Sequence, residues 1–151
     1  MAKINLTEEY KEFLKLCLKH KVKFLIIGGY AVVHYTRPCF TGDLNIWLER
    51  SSGNALRAAA VLKDFGFKGN DIDPEPFTKK AQIIRMGFEP FRLELFTSIP
   101  GVEFKKSYPN RVLVDLGGFE VPFIGVDDLK VNKATCGRDK DLLDLKALSD
   151  L

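Results

Sequence analysis

The chain has 151 residues, 46% of them hydrophobic and 28% charged, with a formal net charge of +3; it is long enough for one domain with its own core and needs no covalent staples. So small a charge gives no electrostatic case for a nucleic-acid binder, and no apolar run approaches the roughly 18 residues that cross a bilayer. The opening MAKINLTEEYKEFLK shows no leader pattern, which makes the cytoplasm the expected compartment, and Cys17, Cys39 and Cys136 are odd in number and widely spaced, against both a disulfide framework and a zinc site.

Thr7 followed by Glu8 and Glu9 predicts a helix start, with an oxygen cap and acids in the first turn. Tyr10, Phe13, Leu14, Cys17 and Leu18 recur at helical spacing as its inward stripe, and Lys11, Glu12, Lys15 and Lys19 face out. His20, at the basic end, reads as a surface residue. The run Phe24-Leu25-Ile26-Ile27 stops at Gly28-Gly29, the pattern of a buried strand. No breaker follows before Pro38, so the glycines turn the chain into a short helix and leave its first amides free. Amides so placed favour an anion, usually a phosphate. After Arg37 and Thr41 comes a strand, Asp43-Leu44-Asn45-Ile46-Trp47-Leu48, which sends Asp43 and Asn45 to one face and Leu44 and Ile46 to the other.

Ser51-Ser52 caps a helix over 53–65, with Ala55, Ala59, Leu62 and Phe65 along one side and Gly66 as its stop. Residues 68–80 hold two prolines and several turn formers and read as a loop. Its Asp71-Ile72-Asp73 has the spacing of a ligand pair without a strand to fix it, and reads as a solvated turn. Strands over 81–86 and 91–96 form a hairpin. In the second, Arg92, Glu94 and Phe96 alternate with Leu93 and Leu95; Glu94 reads either as a carboxylate ligand or as a solvent-facing residue paired with Arg85 or Arg92. Residues 111–115 and 119–123 around Gly117-Gly118 form another hairpin. A helix then opens at Asp127-Asp128 and ends at Gly137, and a last helix over 138–151 turns Leu142, Leu145 and Leu148 inward.

Gly28-Gly29, a short helix, Arg37 and Thr41-x-Asp43-Leu44-x-Ile46 together resemble the signature of the nucleotidyltransferase superfamily, in particular its small stand-alone members, the minimal nucleotidyltransferases and abortive-infection toxins. The turn Thr97-Ser98-Ile99-Pro100-Gly101-Val102-Glu103-Phe104 after Glu94, and the block from Asp128 through Lys133, Gly137-Arg138 and Asp141 to Leu145, resemble later parts of it, so the resemblance runs from Phe24 to Leu148. It implies an α+β fold, a mixed sheet flanked by helices, as a single domain over 1–151.

The resemblance also implies a site. In the family a glycine pair precedes a helix, and an Asp-x-Asp with a third acid from a later strand holds two magnesium ions. Here Asp43, Asn45 and Glu94 take those places, as metal ligands and as the catalytic set. Asn45 departs from the pattern: an amide oxygen can bind magnesium but brings no charge, so one well-held ion is expected rather than two. Gly28, Gly29, Tyr30, Arg37, Thr41, Lys133 and Arg138 make the implied nucleotide-binding set, with Lys133 reaching the phosphates and Tyr30 walling the pocket or stacking on a base. The implied reaction is magnesium- or manganese-dependent transfer of a nucleoside monophosphate from a triphosphate to a hydroxyl of a protein, an RNA or a small molecule. The alternative is a catalytically impaired member that binds nucleotide or protein, as in a toxin–antitoxin pair. With no further domain in the chain, acceptor recognition is expected from a homodimer, a helical partner protein or the loop around Asp71.

Overall fold

The apolar run ahead of the glycine pair becomes an inner strand of the sheet. In the computed structural model, which describes residues 6–36, 41–88 and 91–151, that run is β1 (Phe24–Ile27), buried at all four positions. It pairs antiparallel with β2 (Leu44–Leu48) and parallel with β6 (Glu120–Phe123). Beyond β2 lies β4 (Phe91–Phe96), parallel to it, and then β3 (Ile83–Phe88), antiparallel to β4; β5 (Val112–Asp115) closes the other edge against β6. The six-stranded sheet therefore runs β3-β4-β2-β1-β6-β5, mixed as expected for an α+β chain. Buried on both faces, β1 is apolar at every position rather than alternating.

The helices are α1 (Glu8–Lys19), α2 (Gly28–Tyr35), α3 (Ser52–Phe65), the short α4 (Phe104–Ser107), α5 (Val126–Cys136) and α6 (Asp139–Ser149). α1 packs against α3, α5 against α6, and α2 touches α6. Thr7 caps α1 by accepting from the Tyr10 amide, and Ser51 caps α3 by accepting from Asn54. Asn54 is fully buried: it accepts from the Lys23 amide at 2.8 Å and donates to the carbonyls of Lys23 and Glu49 at 3.0 and 2.9 Å, which ties the start of α3 to the ends of β1 and β2. Among the described residues no helix is long and apolar enough to cross a membrane.

Several boundaries move. β2 begins at Leu44, so Asp43 stands just ahead of the strand, and β3 runs Ile83–Phe88 rather than 81–86 because its ladder is set by pairing to β4. The loop at 68–80 folds into two 3-10 turns, Gly69–Ile72 and Glu75–Thr78, anchored by the buried ring of Phe77. Asp73 there accepts from the Glu75 amide, a turn role. Leu18 and Leu142, expected inward, are exposed, while Leu148 is buried as predicted. On α6 the inward face carries Asp141, a charged residue that apolar periodicity does not flag.

Candidate functional site

Gly28 begins α2 with φ +69, a conformation that costs a residue with a Cβ. Space forbids a side chain as well: a Cβ on Gly28 would stand 2.7 Å from Asn45 Nδ2, and one on Gly29 would collide with the Thr41 hydroxyl. The glycine pair is thus required by the close approach of two polar side chains, Asn45 from β2 and Thr41 from the segment before it. Ile27, at the cap position of α2, offers no side-chain acceptor to the first amides of the helix.

Strand register sets the rest. Ile27 lies opposite Asn45, Asn45 opposite Glu94, and Glu94 opposite Arg85, so a single row crosses β1, β2, β4 and β3 on one face of the sheet. Next to that row, towards the glycine turn, Asp43 receives the Arg92 amide at 3.3 Å and its Nη2 at 3.2 Å. Asn45 and Glu94, predicted from different parts of the chain, therefore share a face, and Asp43, just ahead of β2, is bonded to Arg92 on the strand that carries Glu94.

The carboxylates already have cationic neighbours. Glu94 is 8% exposed and its Oε2 accepts from Arg85 Nε at 2.6 Å, so the predicted cross-hairpin pair forms, but around a buried carboxylate rather than a solvent-facing one. Asn45 Oδ1 is different: it is buried and has no hydrogen-bond partner. A buried acceptor without a donor is costly unless something fills the place. Among the described residues no three His, Cys, Asp or Glu side chains cluster as ligands of one ion, so any cation here depends on the amide oxygen as a donor. Asn45 brings no negative charge, which leaves Asp43 and Glu94, each with an arginine partner, as the carboxylates here.

Tyr10, read from sequence as a packing residue, bears on the site. Its hydroxyl lies 2.5 Å from the Gly42 carbonyl and 3.0 Å from that of Arg92, sharing one proton between them and tying the backbone just before Asp43 to β4. Burial, with Tyr30 and Asp43 nearby, pushes its ionisation far above the ordinary range, so it stays a neutral donor. A tyrosine on a buried helical stripe is the one sequence signal that could have found it, since a buried hydroxyl needs a partner.

Tyr30 is 3% exposed and edge-on to the Tyr10 ring, so its side chain packs in the core beside the glycine turn. Burial and then Asp43 raise its ionisation as well. Lys133 is likewise committed elsewhere: its ammonium is buried between Asp141 at 3.4 Å and Asp144 at 2.9 Å. Arg138 gives its Nε to the same Asp141 at 2.7 Å. A lysine on a helix beside a second helix with two inward carboxylates is drawn to them, and neither cation is directed by any observed bond to the glycine turn. Arg37 lies outside the described residues. His34 is buried with an unpartnered Nδ1, and burial lowers its protonation range. A cleft of about 570 Å³ opens at the other ends of β2 and β4, lined among others by Trp47, Thr97 and Phe104; it includes none of Asp43, Asn45 and Glu94.

No family model matches the sequence, and no curated protein matches it. Solved structures do. The chain superposes on the lincosamide antibiotic adenylyltransferase LnuA, bound to lincomycin, with a TM-score of 0.60 at 16% identity over 97% of this chain and 98% of that one. It also matches a protein from Thermotoga maritima, provisionally assigned as a nucleotidyltransferase, with a TM-score of 0.59 at 12% identity over 93% and 90% of the two chains. The six-stranded mixed sheet and its helices share the fold of these two proteins.

Proposed function

We propose that the chain binds a nucleoside triphosphate over the Gly28-Gly29 turn and moves its nucleoside monophosphate to a hydroxyl group, releasing pyrophosphate. The observation that supports this reading is the packing of Thr41 and Asn45 against the glycine turn, with Glu94 beside Asn45 on the sheet and Asp43 bonded to the nearby Arg92. In such a transfer the acceptor oxygen forms a bond to the α-phosphorus as the bond to the pyrophosphate oxygen breaks, and negative charge gathers on the leaving group. The first amides of α2 have no side-chain cap and suit that charge. Asp43, Asn45 and Glu94 would hold a magnesium or manganese ion, which when bound neutralises phosphate oxygens and acidifies the attacking hydroxyl. Tyr10 acts as a positioning residue by tying the backbone just before Asp43 to β4. In this reading Lys133 and Arg138 hold α5 and α6 together and take no part in phosphate binding.

The near full-length likeness to an enzyme that adenylylates an antibiotic supports a small-molecule hydroxyl as acceptor ahead of a protein or an RNA. Incubation with each labelled ribonucleoside triphosphate, manganese or magnesium, and a panel of hydroxyl-bearing small molecules is expected to release pyrophosphate and label an acceptor. Silence with all four nucleotides, together with no heat on titration, rules the reading out.

A second reading, a member that binds nucleotide or a partner protein without turnover, as in a toxin–antitoxin pair, is supported by neutral Asn45 and by the two arginines on the carboxylates. Its signature is heat of triphosphate binding without pyrophosphate release, and turnover gained on Asn45→Asp.

A further inference from the structure

The row that holds Asn45 and Glu94 ends in Arg85, and the neighbouring Asp43 is held by Arg92. Among the described bonds, Arg85 faces Glu94 and Arg92 faces Asp43, and Asn45 adds no charge. The two members of the Arg85–Glu94 pair are unequally buried: the Glu94 side chain is 10% exposed and that of Arg85 56%. The carboxylate is fixed in the sheet, while the guanidinium lies at the surface end of a long stem, able to change partner without disturbing the strand. A guanidinium is a planar fork that matches phosphate oxygens as well as it matches a carboxylate.

We propose that Arg85 and Arg92 are the phosphate-binding cations of this site. They cover Glu94 and Asp43 while nucleotide is absent, and turn to the oxygens of an incoming triphosphate, which uncovers the carboxylates for the ion. The proposal rests on the triphosphate reading above and adds to it the source of positive charge, which Lys133 and Arg138 do not supply. It makes nucleotide and metal mutually dependent. The free protein is a poor metal binder because its ligands are ion-paired, and the triphosphate both brings oxygens for the ion and removes the competing cations.

The test sets two ligands against each other. Calorimetric titration in EDTA uses inorganic tripolyphosphate and each ribonucleoside triphosphate; manganese binding without nucleotide is followed by water-proton relaxation. Arg85→Gln should weaken tripolyphosphate about tenfold, the worth of one charge-assisted hydrogen bond, and tighten manganese. Glu94→Gln should tighten tripolyphosphate by freeing Arg85, and weaken manganese. Arg85→Lys, which keeps the charge and loses the fork, should fall between wild type and Arg85→Gln for tripolyphosphate. Opposite signs for the two ligands are the signature that loss of structure cannot imitate, and thermal unfolding of each variant confirms a folded protein. If Arg85→Gln leaves tripolyphosphate affinity unchanged, or moves both ligands in the same direction, the proposal is overturned while the triphosphate reading stands. If the wild-type chain binds no triphosphate with or without manganese, both fall.

Discussion

Two clusters of opposite charges lie at different depths in this molecule. Between α5 and α6, Lys133 is 7% exposed and Asp141 1%, and Asp141 accepts from Lys133 at 3.4 Å and from Arg138 through its backbone amide and side chain. On the sheet face, Asp43 and Arg92 have side chains near 30% exposed, Arg85 reaches into solvent, and the adjacent Asn45 Oδ1 has no partner. The same residue types serve opposite ends. A buried lysine–aspartate pair with further partners fixes one arrangement even though Arg138 itself is exposed, whereas a sheet face with a buried amide oxygen lacking a partner can take one from a ligand.

The largest effect expected from this contrast is on stability. Asp141→Ala leaves a buried ammonium with Asp144 alone and should cost about 3 kcal/mol, as breaking a buried pair does. Arg85→Ala, by contrast, removes a half-exposed partner and leaves the buried Glu94 carboxylate without it, so it should cost less than Asp141→Ala but more than loss of a surface pair does. Urea unfolding of both variants measures the difference, and equal losses would erase the distinction between clasp and site.

Asn45→Asp places a charge directly opposite Glu94, which should destabilise the metal-free protein by up to about 1 kcal/mol. Manganese should then restore that loss, so the gap in Tm between manganese and EDTA is expected to be wider than in the wild type. No widening would mean that Asn45 does not stand at a cation position.

Tyr10→Phe removes the hydroxyl held by Gly42 and Arg92, at a cost of about 1 kcal/mol. Because the Gly42 carbonyl directly precedes Asp43, manganese and triphosphate affinity in a fully folded sample should also fall; unchanged affinity would confine Tyr10 to the core.

The smallest effect concerns acid. The Arg138 side chain, with Lys133 contributing, holds the Asp141 carboxyl below its usual range. A depressed folded value means the stabilisation is complete above the ordinary aspartate value, about 3.9, and is lost as the pH falls through the depressed one. Unfolding midpoints followed down that window should drop more steeply for the wild type than for Asp141→Asn; parallel curves would show that the clasp is not what acid loosens.

Local chemistry was legible along the chain wherever it was a matter of near neighbours. The apolar run and glycine pair announced β1 and the turn into α2, Thr7 and Ser51 announced their helices, and alternation set Asn45 apart from its buried neighbours Leu44 and Ile46 because a strand's side chains repeat every two residues. Partner choice is different in kind, since it depends on which strands lie side by side and which helix covers which. Only the folded sheet could choose Arg85 over Arg92 for Glu94, bring the Tyr10 hydroxyl from α1 to the backbone next to Asp43, and bury Tyr30. Likewise only the packing of α5 on α6 could turn Lys133 away from any phosphate and onto Asp141 and Asp144, because a buried ammonium goes to the carboxylates within its reach and sequence spacing carries no measure of that distance.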